Sequence, residues 1–176
     1  MKTLNLFFIS IFILALPQLT IAQNHSSTIK VQAMQMGNAV VRNDFETFVK
    51  YMHPNIIAFA GGRQEMKNKM DSAYVAMAKY KVKFKTYLIG NPGEIVRYKN
   101  QLQAILPQTT TMQTPMGEVI LETTMLVISN DNGKNWWFID TNVYKADKLK
   151  NVLPDISPRL VLPPPGKPKL GPVKKK

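Results

Sequence analysis

The sequence predicts an α+β domain: a curved antiparallel sheet wrapped on three N-terminal helices, followed by an extended Pro/Lys-rich C-terminal tail. Apolar residues recur at helical spacing as far as Lys79, the period changes to two from Val82 onward, and prolines crowd the chain from Pro154.

The start of the chain reads as a targeting segment. Lys2 precedes the apolar run Leu6 to Leu16, then come Pro17 and the small-residue pattern Thr20-Ile21-Ala22, so residues 1-22 have the form of a secretory signal peptide. The run is shorter than the ~20 apolar residues a membrane span needs. The expected product is an exported, soluble protein, periplasmic or secreted, beginning near Gln23. The chain has no cysteine, which excludes a disulfide framework, a lipid-anchored Cys, a Cys nucleophile and a thiolate metal site together. A domain over 23-145 must therefore live on its core, and its length is in the usual range for one.

The formal net charge is +12, but it is uneven: Lys145 to Lys176 holds nine Lys/Arg against two Asp/Glu. The folded body is only mildly basic, so nucleic acid is not an expected partner. The tail, 146-176, reads as a solvated basic end, with an anionic envelope surface as its candidate contact.

Ile29, Ala33, Met36 and Val40 mark one face of a helix over 27–42. Asn43 with Glu46 predicts a capping box for a second helix that buries Phe45, Phe48, Val49 and Met52 and stops at Pro54. Ile56 to Ala60, ended by Gly61-Gly62, reads as a short buried strand. Met66, Met70, Tyr74 and Met77 mark a third helix over 64–79. Val82, Phe84, Thr86 and Leu88 then alternate with Lys81, Lys83, Lys85 and Tyr87, which predicts a strand with the second set on its wet face. Glu94 to Tyr98 is a short strand. Gln101 to Met112 is longer, with Pro107 predicting an edge or a bulge, and Val119 to Ile128 is strong. Trp136 to Tyr144 closes the sheet.

The turn between the last two strands carries a motif. Ser129, Asp131, Gly133 and Trp136 have the spacing Ser-x-Asp-x-Gly-x-x-Trp, which resembles the Asp box: acid and hydroxyl tie the turn's amides and the ring covers them. This is a structural hairpin. One such box and about six strands do not build the repeated blades of the sialidase propellers that carry it.

The order of elements resembles the nuclear transport factor 2-like superfamily, the cone fold of SnoaL-like proteins and ketosteroid isomerases. The residues that carry the resemblance are Phe48-Val49-Lys50-Tyr51-Met52-His53-Pro54 running into Ile56-Ile57-Ala58-Phe59, the Gly61-Gly62 turn, and Gly133 to Asp140. The resemblance implies a cavity between sheet and helices, and pairing of two copies through their sheets as a homodimer. In the superfamily's enzymes an Asp, His or Tyr in that cavity is the base or oxyanion donor.

Asp140 is the best candidate acid, sharing a strand face with Trp136 and Phe138, while Trp137 and Ile139 face the other way. His53 is the candidate histidine, set against the plainer role of a helix stop. His53 stands alone, so no His-rich metal site can be assembled, and no cofactor is implied. Tyr51, Tyr98 and Trp137 are candidate ligand contacts. The isomerase constellation cannot be matched residue by residue, which favours a non-enzymatic binding domain for a small apolar or amphipathic ligand or a protein partner. The alternative is an enzyme using Asp140 and His53. The many methionines suit an adaptable apolar pocket or a core.

Overall fold

The computed structural model describes residues 16–171. The apolar run of the predicted signal peptide lies outside them except for its last residue. Helix α1, Leu16–Val41, begins earlier than the spacing predicts and passes Ala22 without a break. Among the described residues no helix is long and apolar enough to cross a membrane. The buried stripe of α1 is Ile29, Ala33, Met36 and Ala39, close to the predicted face.

Asn43 is not the cap of the next helix. It takes a left-handed conformation, φ 55°, and closes α1, with the Asp44 amide donating to the Ala39 carbonyl at 2.8 Å. Asp44 caps α2, Phe45–Phe48, by accepting from the Thr47 amide at 3.0 Å, and Glu46 pairs with Arg63. A 3-10 turn, Val49–Tyr51, follows.

The strand expected at Ile56 to Ala60 is a helix, α3, Pro54–Phe59. Pro54 both stops one helix and starts another, because a proline in the first helical turn has no amide to leave unpaired. His53 caps it, with Nδ1 accepting from the Asn55 amide at 3.1 Å. A short apolar run has no period of its own to decide between helix and strand. Gly61 and Gly62, at φ 98° and 92°, then turn the chain into α4, Arg63–Lys79.

The sheet contains β1, Lys83–Ile89; β2, Val96–Tyr98; β3, Gln101–Thr114; β4, Gly117–Ser129; β5, Trp137–Asp140; and β6, Lys169–Leu170. The order is β1-β3-β4-β5, with β2 beside β3 and β6 beside β4, all antiparallel. Pro107 is inside β3, which is not an edge strand. Its carbonyl accepts from the Gly90 amide at 2.9 Å, so the missing N–H faces the gap where β1 has ended and β2 has not yet begun. The prediction of an edge therefore holds only locally.

Both sheet faces are covered near β4. On the inner face, Leu102, Ala104, Leu106, Met125, Val127, Trp136 and Phe138 pack on Ile29, Ala33 and Met36 of α1. On the outer face, Leu126, Ile128 and Ile139 meet Phe45, Val49 and Ile56, together with Leu149 and Leu153 from beyond residue 145. Two-sided burial explains why Met125 to Ile128 is continuously apolar and not alternating.

The outer-face contacts correct the reading of the tail. Residues 146–152 form α5, Ala146–Val152, since no proline precedes Pro154, and Leu149 and Leu153 are 1% and 5% exposed. Ile156, Leu160 and Leu162 also pack on the cluster. The buried Gln103 side chain donates to the Asp155 carbonyl at 2.6 Å and accepts from the Ser157 amide at 2.8 Å. From 154 to 168 the chain forms no helix or strand, with turns at 154–155 and 158–159, and it runs against the body. It leaves less outer face for the sheet-to-sheet pairing that the resemblance implies.

Candidate functional site

A cavity of about 520 Å³ lies between the inner face of the sheet, the C-terminal half of α1 and the apolar stripe of α4. The helical side supplies Met36, Met52, Met66, Met70 and Met77, and the strands add Met112 and Met125. These methionines line the cavity, and Met36, Met52, Met66 and Met125 are at the same time buried core residues. Phe48, Phe84 and Phe138 complete the apolar surface.

One polar cluster interrupts that wall. Asp140, Gln108, Thr123 and Tyr87 converge on it from β5, β3, β4 and β1. Gln108 Nε2 donates to Asp140 Oδ2 at 2.7 Å and to Thr123 Oγ1 at 2.7 Å, while its Oε1 accepts from the Tyr87 hydroxyl. Asp140 Oδ1 accepts from the Asn142 amide at 2.7 Å. Burial pushes the Asp140 carboxyl above its ordinary value of 3.8; the Asn142 and Val143 amides and Gln108 pull it back without cancelling the rise. Burial, reinforced by the neighbouring carboxylate, also pushes the Tyr87 hydroxyl above its usual range. The site is thus a desolvated carboxyl held by amide donors at the wall of a mostly apolar space.

Two local features place Tyr87 here. The register of β1 against β3 shifts between Phe84 and Thr86, and the extra residue reverses the alternation beyond it. Tyr87, predicted on the wet face with the lysines, turns inward, and Leu88, predicted inward, is 58% exposed. Gly37 of α1 is the other feature: a Cβ there would fall inside the Tyr87 ring. A mid-helix glycine is unfavourable by itself, and here it makes room for the ring.

The other sequence candidates lie apart from this cluster. His53 is on the opposite side of β5, edge-on to Trp137 at 4.8 Å between centroids. Burial lowers its pKa below 6.5, and no carboxylate contributes. Asp140 and His53 are therefore not brought together. Trp137 packs among the outer-face residues. Tyr51 donates to Gln35 Oε1 at 2.5 Å and rests edge-on against Phe138, behind the cavity wall. Tyr98 sits on β2 with Lys99 over its ring. Arg63 and Arg97 bond Glu46 and Asn132.

The hairpin has its own network. Ser129 Oγ accepts from the Gly133 amide at 2.9 Å, Asp131 accepts from the Asn135 amide at 2.9 Å, and Trp136 Nε1 donates to the Gly133 carbonyl at 3.0 Å. Desolvation raises the Asp131 pKa, but the bonds from Asn135, Ser129 and Lys134 together outweigh it and the net displacement is downward. The turn is also fastened to α1, where the Gln32 side chain accepts from the Trp136 amide and donates to the Lys134 carbonyl, both at 2.8 Å. His25 packs edge-on against Trp136.

Among the described residues no group of His, Cys, Asp or Glu is arranged to hold a metal ion. Comparison with protein-family models, with curated proteins and with solved structures finds no match to this chain.

Proposed function

We propose that the chain is a binding domain of the nuclear transport factor 2-like type that holds a small amphipathic molecule, with the apolar body among the methionines and a hydrogen-bond donor against Asp140. The observation that carries this reading is the cavity itself: its volume of about 520 Å³ suits a small molecule, and its mostly apolar wall, which also includes Lys69, Tyr74 and Thr110, holds the buried polar cluster around Asp140. Methionine side chains adapt to ligands of irregular shape. Asp140 has acceptor capacity beyond its bonds to Gln108 and Asn142, and in a low-dielectric site such a bond is strengthened. Export rests on Lys2, Leu6 to Leu16 and Thr20-Ile21-Ala22. Removal of residues 1-22 would shorten α1 without touching its buried stripe from Ile29 onward.

A second reading, proton transfer to or from a bound substrate, is favoured by the raised Asp140 pKa. Its second group would be Tyr87, not His53.

Fluorescence titration with N-phenyl-1-naphthylamine, an apolar aromatic with one N–H, tests the binding reading. Saturable binding is expected, weakened about tenfold or more in Leu121→Trp, which fills the cavity, and weakened in Asp140→Leu, which removes the acceptor. Equal binding in wild type and Leu121→Trp would overturn it. Binding weakened in Leu121→Trp but not in Asp140→Leu would keep the cavity and remove the donor rule.

A further inference from the structure

One end of the sheet combines exposed apolar side chains with lysines. The rows of the sheet define it. Phe84, Met112, Val119 and Leu170 are paired in succession across β1, β3, β4 and β6. In the next row outward Lys83 pairs with Gln113 and Gln113 with Glu118, whose carbonyl accepts from the Gly171 amide. The β3–β4 turn projects beyond that row. Its Met116 is 88% exposed, Leu170 is 76% exposed, and Tyr80, just before β1, is 64% exposed.

Lysines surround these side chains. Lys79, Lys81 and Lys83 lie in the connection from α4 into β1, with the Lys79 ammonium over the Tyr80 ring. Lys85 pairs with Glu118 and Lys169 with Glu122, so the two acids of this end are each met by a lysine. Strand β6 brings the described chain to Gly171 at this end. After Gly171 the sequence continues as Pro172-Val173-Lys174-Lys175-Lys176, outside the described residues.

We infer that this end of the sheet docks on an anionic lipid surface, with Met116, Tyr80 and Leu170 entering the headgroup boundary and the lysines pairing with lipid phosphates. Charge complementarity selects the occupant. Exposed methionine and tyrosine ringed by ammonium groups match an interface that is anionic outside and apolar within. An acidic protein groove would satisfy the lysines but gives no reason for Met116 at the tip of a turn. Phe84 and Met112 belong both to this end and to the cavity wall, so docking would bring the cavity next to a source of amphiphiles; that last step rests on the binding reading above.

Co-sedimentation of the full chain with vesicles tests the inference. Phosphatidylglycerol vesicles are compared with phosphatidylcholine vesicles, so that any contribution of the apolar N-terminal run appears in both. Preferential partitioning to phosphatidylglycerol is expected, falling with salt. The triple variant Lys79→Glu, Lys81→Glu, Lys83→Glu should lose at least roughly a hundredfold of it, since loss of three lysines near an anionic surface accounts for that much and the new glutamates add repulsion. Met116→Asp should weaken partitioning several-fold while keeping the salt dependence. N-phenyl-1-naphthylamine binding in solution should be unchanged in these variants, which also reports that they fold. Wild-type partitioning in the triple variant would overturn the inference. So would a loss on charge reversal with no effect of Met116→Asp and equal binding to soluble heparin, which would reduce the patch to a contact for any polyanion. Vesicle binding as expected together with no dye binding in wild type would support the docking surface and overturn the cavity reading alone.

Discussion

Asp140 shows how a carboxyl can cost folding free energy at the position where recognition is proposed. Its pKa is raised because burial penalises the charged form more than Gln108 and the Asn142 and Val143 amides stabilise it. The folded state therefore holds the proton more tightly than the unfolded chain does. Above the raised value the carboxylate destabilises the fold; as pH falls from there toward the ordinary 3.8, this penalty disappears. In Asp140→Asn the penalty is absent at every pH. The amide can still accept from Asn142, and a flip of Gln108 lets it donate to the Tyr87 oxygen and accept from Thr123. The expected outcome is that Asp140→Asn is at least as stable as wild type at pH 7, and that wild type gains on it as the pH is lowered toward 4. Paired urea melts across that range check this. A variant less stable at pH 7, with a gap that narrows on acidification, would mean that the carboxylate is held more by its donors than it is harmed by burial.

At the scale of elements, the hairpin and the bulge show what a sequence displays and what it conceals. Ser129, Asp131, Gly133 and Trp136 are close in sequence and bond one another, so their pattern is visible without knowledge of the rest of the fold. The period-two strands and the methionine helix are legible for a similar reason, because each alternation has one local cause. Tyr87 was concealed because the bulge that turns it inward is a relation between β1 and β3, and Gly37 because its reason is a ring on another element. Gln108 and Thr123 looked like ordinary polar strand positions until register set them opposite one another. The helix at Pro54–Phe59 was misread because its apolar run is too short to show a period. For the hairpin, Asp131→Ala should cost about 1–2 kcal/mol, the usual range for losing a cap-like bond. Since the turn is also fastened to α1 through Gln32, the fold should survive. A denaturant melt measures it, and dye binding in the cavity should not change. A variant as stable as wild type would show that Ser129 and Gln32 hold the turn without the acid.

For the whole molecule, the decisive feature is that the chain beyond residue 145 completes the outer face. Leu149 and Leu153 are buried there, and Ile156, Leu160 and Leu162 pack beside them. Each such side chain contributes about 1.5–3 kcal/mol when fully buried. Truncation after Asn151 would also strip Gln103 of the Asp155 carbonyl and the Ser157 amide. Gln103 Nε2 would keep its bond to Gln101, but the buried amide oxygen would lose its donor, which costs about 1–3 kcal/mol. The combined loss is comparable with the ~5–15 kcal/mol that separates a typical folded domain from its unfolded chain. The shortened protein should therefore fail to melt cooperatively or show a greatly lowered midpoint. Truncation after Lys167 is the comparison. It keeps every one of those contacts and removes β6, whose Lys169 and Leu170 are both exposed, so its midpoint should lie within a few degrees of wild type. Thermal melts of the three proteins side by side decide the matter. If the chain ending at Asn151 melts like wild type, the packing of residues 153–162 contributes nothing to stability, and the outer face of the sheet is then available to a partner.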